Sequence, residues 1–261
     1  MIEQIMNQQQ TPLKIILVGD SCYDETHYGQ VNRLSPEAPI PILDYTKTNT
    51  NKGMTYNVYE NFLKLGFTPD NILLDTKMYE IKSRYVDIKT KQQLLRVDQK
   101  IEQDNIKTDL LKKSLRGYDA IVISDYDKGH VTYDLVKKLR KNYNGPIFID
   151  SKKPDLKQFE GCFIKINDKE YHNRISWASN MIVTYGGDMV TYKDRIYTPP
   201  KVEAFDACGC GDTFLAALVY HYLITNEVSD AIQFAMKAAA ITVKHFGVYA
   251  PTLEEIKYDN D

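Results

Sequence analysis

The stretch DACGCGD at residues 206–212 places two glycines and an aspartate directly before an apolar, helix-forming run. Gly209 and Gly211 can adopt backbone conformations that other residues avoid, so the N–H groups around Cys210 can turn toward one point. A helix beginning there directs the positive end of its dipole at the same point. The stretch therefore predicts an anion hole. An acid inside it, Asp212, fits a base that takes a proton from a hydroxyl beside a transferring phosphoryl group.

A simpler interpretation of Asp212 is helix capping, because aspartate is a preferred residue at the first positions of helices. The stretch alone leaves both interpretations open. The cysteines Cys22, Cys162, Cys208 and Cys210 form no CxxC pair and have no histidine at zinc-ligand spacing, which favours neither a disulfide framework nor a structural metal. Small size in a tight turn explains Cys208 and Cys210 better.

The composition narrows the possible partners. The chain has 261 residues, 43% of them hydrophobic and 26% charged, with a net charge of -2. Without a basic run, nothing favours binding to nucleic acid or to an anionic membrane surface. The sequence has no apolar run of the roughly 18 residues that a membrane span needs and no leader-like N-terminus, so we expect a soluble, cytoplasmic protein.

The hydrophobic pattern alternates between strands and helices. LKIILVG, AIVIS, PIFID, CFIKI and MIVTY read as buried strands, and DMVTYKDRIYTP reads as a hairpin. Helical spacing occurs from Met54 to Leu65, from Ile106 to Leu115, around Leu135 to Leu139, and at about 212–225 and 229–244. This order predicts an α/β fold, a doubly wound and mostly parallel sheet flanked by helices.

An insertion interrupts the first strand and helix. APIPILDY is extended and punctuated by prolines, and SRYVDIKTKQQLLRVDQ contains β-rich stretches that alternate in polarity. We expect these stretches to form a small β-sheet lid, at about 22–48 and 80–98. Because no linker or repeat is present, we expect one domain over 1–261.

DACGCGDTF resembles the D-x-x-G-x-G-D signature of the ribokinase/PfkB carbohydrate kinase family, in which the last aspartate is the catalytic base. VGDSCYDETHYGQVNRLSPEAPIPIL resembles the N-terminal region of the heptose 7-phosphate kinases of that family. QQLLRVD, VISDYDKG, IDSK and GVYAPT extend the likeness, in the same order, over nearly the whole chain. The resemblance implies a ribokinase-like fold, ATP and Mg²⁺ as cofactors, and a sugar or sugar-phosphate substrate. It also implies a homodimer formed through the lid.

The resemblance implies roles for individual residues. Those expected to bind the substrate are Asp24, Gly53, Asn57, Arg84, Lys91, Lys128 and Lys152. Those expected around ATP are Asn167, Glu170, Thr184, Gly186, Asp206 and Gly209. Asn167 and Glu170 stand at an N-x-x-E spacing that implies a magnesium site organised through water. Asp212 is expected as the base, with Gly209, Cys210 and Gly211 supplying the anion hole.

Three departures from the family pattern keep other functions open. Met54 replaces the second glycine of the substrate segment, the lid lacks two arginines suited to bidentate phosphate contact, and the connections after Gly66 and Glu170 are short. Phosphorylation of the C1 hydroxyl of a heptose 7-phosphate is the leading hypothesis. A kinase for another sugar phosphate and a non-catalytic sensor with a kinase fold are the alternatives.

Overall fold

A computed structural model describes residues 12–102 and 108–258. Its strands are β1 Ile15–Leu34, β2 Pro41–Met54, β3 Ile72–Asp87, β4 Gln93–Lys100, β5 Ala120–Asp125, β6 Ile147–Ser151, β7 Phe163–Asn167, β8 Met181–Tyr185, β9 Met189–Tyr192 and β10 Arg195–Tyr197. Its α-helices are α1 Thr55–Lys64, α2 Tyr133–Asn142, α3 Asp168–Asn173, α4 Cys210–Thr225, α5 Val228–Thr242 and α6 Leu253–Tyr258.

The strands form one sheet in the order β10-β9-β8-β7-β6-β5-β1-β3-β4, with β2 paired to β1 outside this path. The strands from β3 through β1 and β5 to β8 pair in parallel, whereas the pairs β8–β9, β9–β10, β3–β4 and β1–β2 are antiparallel. This arrangement confirms the predicted α/β class. It also brings the carboxyl ends of β1, β5, β6 and β7 to one edge, where ligands bind in open α/β sheets.

The sheet is buried on both faces, as the continuous apolar strand runs predict. Ile15 and Leu17 pack on one face with α1, α4, α5 and α6, and Ile16 and Val18 pack on the other face with α2. No helix within the described ranges is long and apolar enough to cross a lipid bilayer.

The lid-like strands continue from the main sheet. β1 runs 20 residues, and its second half pairs with β2 on one side and with the second half of β3 on the other. β4 extends this region as an antiparallel strand beside β3. One domain with a lid at about 22–48 and 80–98 stays a prediction.

The helix predicted from Ile106 to Leu115 differs from the structure. Ile106 lies outside the described residues, and the part from residue 108 onward contains a single 3-10 turn, Leu110–Lys112. Leu110 and Leu115 are nevertheless buried in the core beside α2. The apolar spacing therefore reports burial here, because a short segment takes its backbone form from tertiary packing more than from its own propensity.

A fully buried carboxylate holds the loop that follows β5. Asp20, on β1, accepts hydrogen bonds from the backbone N–H groups of Tyr126, Lys128 and His130 at 2.9–3.1 Å. The carbonyl oxygen of Asp20 accepts a 2.6 Å bond from the Thr55 hydroxyl at the start of α1. Asp20 therefore fixes the loop after β5 and the first turn of α1 at the same edge of the sheet.

We expect Asp20→Ala to lower the free energy of unfolding by about 3 kcal/mol, because it removes a fully buried carboxylate and leaves three backbone amides without their acceptor. The comparison is urea denaturation of the wild type, Asp20→Ala and Asp134→Ala, a surface aspartate paired with Lys138. Asp134→Ala should stay within about 0.5 kcal/mol of the wild type. An equally small effect of Asp20→Ala would show that the loop does not depend on this carboxylate.

Candidate active site

The DACGCGD stretch forms a tight turn into α4. Gly209 is left-handed, with φ 79°, and α4 begins at Cys210. Asp206 lies behind the turn and accepts bonds from the N–H groups of Cys208 and Gly247, both at 2.9 Å. Burial raises the pKa of Asp206, but the hydrogen bonds from the backbone amides have a larger effect and leave the pKa below its usual value. Asp206 therefore braces the turn, and its predicted contact with ATP stays a prediction.

Asp212 lies in the first turn of α4 with 4% of its surface exposed. Its two carboxylate oxygens accept bonds from Asn57 Nδ2 at 3.0 Å and from the Tyr126 hydroxyl at 2.9 Å. Burial raises the pKa of Asp212 to about 6, with a further rise from nearby Asp150. The bonds from Asn57 and Tyr126 and the charge of Lys165 oppose that rise. A carboxylate that titrates near neutrality is suited to proton abstraction.

Tyr126 reaches Asp212 from the loop that Asp20 holds. Burial and the charge of Asp212 raise the pKa of Tyr126 well above its usual value, so its hydroxyl keeps its proton and donates. Asn57 reaches Asp212 from α1. The Asp212 carboxylate is therefore oriented by two donors from two separate elements, both of which are held by Asp20.

A cavity of about 170 Å³ lies in front of Asp212. Its lining residues are Asp125, Tyr126, Asp150, Lys152, Lys165, Asn167, Glu170, Gly209, Gly211 and Asp212. They come from the carboxyl ends of β5, β6 and β7 and from the turn into α4. Six of the residues predicted for the site meet in this cavity: Lys152, Asn167, Glu170, Gly209, Gly211 and Asp212.

The charged and polar groups that line the cavity determine whether it can bind phosphate and magnesium. Asn167 and Glu170 form a reciprocal capping box at the start of α3, with bonds of 2.8 and 2.9 Å, and Lys152 Nζ lies 3.2 Å from Glu170 Oε1. The bare backbone at Gly209 and Gly211 fits phosphate oxygens. Within 12–102 and 108–258, no group of three or more His, Cys, Asp or Glu side chains is placed to hold a metal. Oxygen ligands from Glu170, with water and phosphate, suit Mg²⁺.

The residues predicted for the sugar lie beside the cavity on the lid strands. Arg84 on β3 pairs with Asp24 on β1 through Nη1 and Oδ1 at 2.6 Å. A Cβ at Gly53 would lie 2.2 Å from Asp24 Oδ2, so this position on β2 has no room for a side chain. Asp24, Gly53 and Arg84 therefore form one patch, whereas Asn57 donates its hydrogen bond to Asp212.

Four other predicted residues lie outside this cluster. Lys128 pairs with Glu80 at 2.8 Å, and Lys91 is exposed in the turn between β3 and β4. Thr184, on β8, bonds to the Ile166 carbonyl at 3.4 Å, and Gly186 follows in an open turn with φ 58°. None of the four lines the cavity among the described residues, and their roles stay predictions.

Met54 has a glycine-like backbone although it carries a large side chain. Its φ is 60° and its ψ is -119°, and the residue is 3% exposed directly before α1. Such a conformation costs a non-glycine residue on the order of 1–3 kcal/mol. The substitution therefore keeps the turn that a glycine would make, at a cost in backbone strain.

Four residues of the site were not identified from the sequence: Asp125, Tyr126, Asp150 and Lys165. Asp125, Tyr126 and Asp150 stand in SDYDKG and IDSK, from which only Lys128 and Lys152 were selected. Their position at the ends of predicted parallel strands could have identified them. Lys165 could have been identified by a different signal, because it is the one charged residue inside the apolar run CFIKI.

Comparisons with known proteins show what this chain is similar to. The model of the pfkB family carbohydrate kinases matches residues 164–256. The bifunctional protein HldE of a Nitratiruptor species is 28% identical over 300 residues, which cover 94% of this chain and 64% of that protein. HldE of a Helicobacter pylori strain is 28% identical over 303 residues, covering 93% and 65%. The chain thus spans slightly less than two thirds of these relatives.

Solved structures share the fold. Arabidopsis thaliana ribokinase, complexed with ribose and ATP, superposes with a TM-score of 0.68 at 12% identity, covering 95% of this chain and 98% of that one. Phosphofructokinase-2 from Escherichia coli, in complex with potassium, gives a TM-score of 0.70 at 15% identity, covering 95% and 97%.

The family model over residues 164–256 and the shared fold make this chain similar to the carbohydrate kinases. The predicted resemblance to the ribokinase/PfkB carbohydrate kinases is confirmed.

We expect Tyr126→Phe to raise the pKa of Asp212 from its value of about 6, because the variant loses a donor that favours the ionised carboxylate. The base is then less ionised on the acid side of neutrality. A lost charge-assisted bond of about 1.5 kcal/mol lowers the ionised-to-protonated ratio about tenfold. Carbon-13 NMR titration of the Asp212 carboxyl measures the pKa of this group directly.

Tyr258→Phe is the matched control, since Tyr258 is 73% exposed on α6. It should leave the titration of Asp212 unchanged. An unchanged titration in Tyr126→Phe as well would show that this hydroxyl does not hold the base in solution.

Proposed function

We propose that this protein transfers the γ-phosphoryl group of ATP to a hydroxyl of a sugar phosphate. The observation that carries the proposal is Asp212, buried at the turn into α4 and held by Asn57 and Tyr126 at the mouth of a cavity with bare backbone. A helix cap alone does not explain this arrangement, because the carboxylate binds two side chains from other elements. The cavity supplies room for phosphate oxygens beside the base.

In the proposed reaction the sugar hydroxyl replaces one of the two donors at Asp212 and gives its proton to the carboxylate as it attacks. Asn57 and Asp24 orient the sugar, and the lid strands exclude water that would otherwise accept the phosphoryl group. The amides of the Gly209–Asp212 turn stabilise charge that develops on the phosphoryl oxygens. Glu170 and Asn167 would hold Mg²⁺ through water, and the ion would neutralise phosphate charge.

We further propose that the acceptor is the C1 hydroxyl of D-glycero-D-manno-heptose 7-phosphate. The support is the resemblance of residues 18–43 to heptose 7-phosphate kinases together with the relatives named HldE. The patch of Asp24, Gly53 and Arg84 offers a carboxylate for sugar hydroxyls and a guanidinium for a phosphate. Met54 makes the floor beside this patch bulkier than a glycine would.

We expect Asp212→Asn to lower kcat about 100-fold or more and to leave ATP binding within a few-fold, because the amide removes the base and keeps the shape of the site. ADP release from Mg-ATP is measured with 7-phosphates of D-glycero-D-manno-heptose and sedoheptulose, with fructose phosphates and with unphosphorylated sugars. Turnover on heptose 7-phosphate alone, lost in the variant, supports both assignments.

Other outcomes of this panel distinguish the alternatives. Turnover on a different sugar phosphate would mean that Met54 and the lid residues select another substrate. Binding of sugar phosphate and nucleotide without any ADP release would favour a sensor that retains the kinase fold. Undiminished turnover in Asp212→Asn would remove Asp212 from the role of base.

We also propose a homodimer formed through the lid. Within the described residues, β2 pairs with β1 only, which leaves the other edge of a 14-residue strand open. Leu34, Ile40 and Tyr45 are 57–64% exposed at this edge or beside it. An open, partly apolar strand edge is stabilised by pairing with a second strand.

Sedimentation equilibrium should therefore give about twice the chain mass of 30.1 kDa. Tyr45→Lys on the open strand should shift the equilibrium toward the monomer, because it places a charge on the proposed interface. Lys138→Glu on the exposed side of α2 serves as the control. A wild-type monomer at micromolar concentration would contradict the dimer.

A further inference from the structure

Lys165 is a buried cation on the floor of the cavity. It stands in β7 between Ile164 and Ile166, which are both fully buried, and is itself 5% exposed. Its Nζ donates to Asp150 Oδ2 at 2.7 Å, and the two residues are direct neighbours in the register of β6 and β7. This ion pair with Asp150 fixes the ammonium in place.

The first turn of α4 lies directly on this ammonium. A Cβ at Gly211 would lie 2.8 Å from Lys165 Nζ and 3.7 Å from Asp150 Oδ2. Any side chain at residue 211 would displace the cation or the turn. Gly211 thus allows the backbone of the anion hole and the ammonium to approach each other, and both line the same cavity.

Lys165 has donor capacity that the protein leaves unused. An ammonium carries three N–H groups, and in the described part of the chain Asp150 is its one hydrogen-bond acceptor. The neighbouring lysines are engaged differently. Lys152 pairs with Glu170, and Lys153 bridges Asp125 and Asp127 at 2.9 and 2.6 Å. Lys165 is the cation beneath the turn.

A purely structural role accounts poorly for this pair. Removing two charges from water costs several kcal/mol, and apolar residues of similar volume often stabilise a core as well or better. The surrounding positions on β7 are apolar, so a hydrophobic residue at 165 would continue the pattern. A charge kept at such a position beside a phosphate-sized cavity indicates a charged ligand.

We propose that Lys165 is a further catalytic residue, whose ammonium binds an oxygen of the transferring phosphoryl group while Asp150 holds the ammonium in place. The inference rests on the proposed kinase function and deepens it. As the sugar oxygen forms its bond to the γ-phosphorus, the bond to the β,γ-bridging oxygen breaks and its electron pair leaves with ADP. The hydroxyl proton goes to Asp212, and Lys165 keeps its protons throughout.

The decisive experiment compares the wild type, Lys165→Met, and the double variant Asp150→Asn with Lys165→Met. The single variant leaves the half-buried Asp150 carboxylate without its partner and is expected to lose thermal stability. The double variant removes both charges and should recover most of that stability. Its kcat should nevertheless stay about 100-fold or more below the wild type, with the KM for the sugar within a few-fold.

A structural role predicts the opposite, because a double variant that folds normally would then regain wild-type kcat. That result would overturn the proposal. Lys138→Met is the matched control, since Lys138 is a surface lysine paired with Asp134. It should change neither kcat nor stability.

A second readout does not depend on turnover. Calorimetry gives the affinities for ADP and for the β,γ-imido analogue of ATP. The affinity for the analogue divided by the affinity for ADP reports the contribution of the terminal phosphate. This ratio should fall about tenfold in the double variant, as expected for a lost charge-assisted contact. An unchanged ratio together with unchanged kcat would overturn the proposal.

The two measurements also distinguish this inference from the proposed function. A wild type that releases no ADP with any sugar would refute the kinase activity. The affinity ratio would then decide Lys165 alone, a reduced ratio in the double variant supporting its phosphate contact and an unchanged ratio refuting it.

Discussion

The site depends on the buried carboxylate of Asp20 at the point where β1 leaves the core. The hydrogen bonds that Asp20 accepts from three backbone amides set the path of residues 126–130, and its carbonyl oxygen holds Thr55 at the start of α1. Tyr126 and Asn57, the two donors to Asp212, stand on these two segments. A carboxylate without access to water can exist only where it is hydrogen-bonded, so these segments cannot move independently. The orientation of the Asp212 carboxylate is thus fixed through these two segments.

The removal of water from around Asp212 makes this carboxylate more basic and also lowers the stability of the folded protein. The folded pKa of Asp212 is about 6, against an ordinary value of 3.8, so the native state holds a proton that the unfolded chain releases. The contribution of this group to the free energy of unfolding therefore falls as pH rises from about 4 to 6 and stays low above that range. The carboxylate is more basic than usual, because its ionised form is poorly solvated. Asn57, Tyr126 and Lys165 limit the effect, so Asp212 remains mostly ionised at pH 7.

The sequence predicted the buried strands and the turn at DACGCGD because both signals are local. Continuous apolar runs identify buried strands wherever they lie, and DACGCGD contains the glycines and the acid of its own turn. The 3-10 turn at Leu110–Lys112 was not predicted, since packing against α2 determines its backbone. Tyr126 was missed for a related reason. Its role consists of one hydroxyl reaching a residue 86 positions away, and nothing in SDYDKG specifies that partner. Lys165 was missed because its meaning depends on Asp150 and Gly211, which the chain brings together only on folding.

The residues proposed for phosphoryl transfer and those proposed for sugar binding lie in different parts of the sheet, so packing constrains the two sets differently. Asp212, Lys165 and the turn into α4 lie on core elements, where burial on both faces leaves little freedom to change a side chain. Asp24, Gly53 and Arg84 lie on strands that extend beyond the core, where they constrain one another through the Asp24–Arg84 ion pair and the close approach of Gly53 to Asp24. Met54 stands at the junction of the two regions, with a glycine-like backbone and a large side chain. The backbone strain at Met54 is tolerated because α1 must begin at Thr55 for Asn57 to reach Asp212. Changes in the pocket floor are therefore possible only where they preserve that turn, so specificity can vary while the arrangement around Asp212 stays the same.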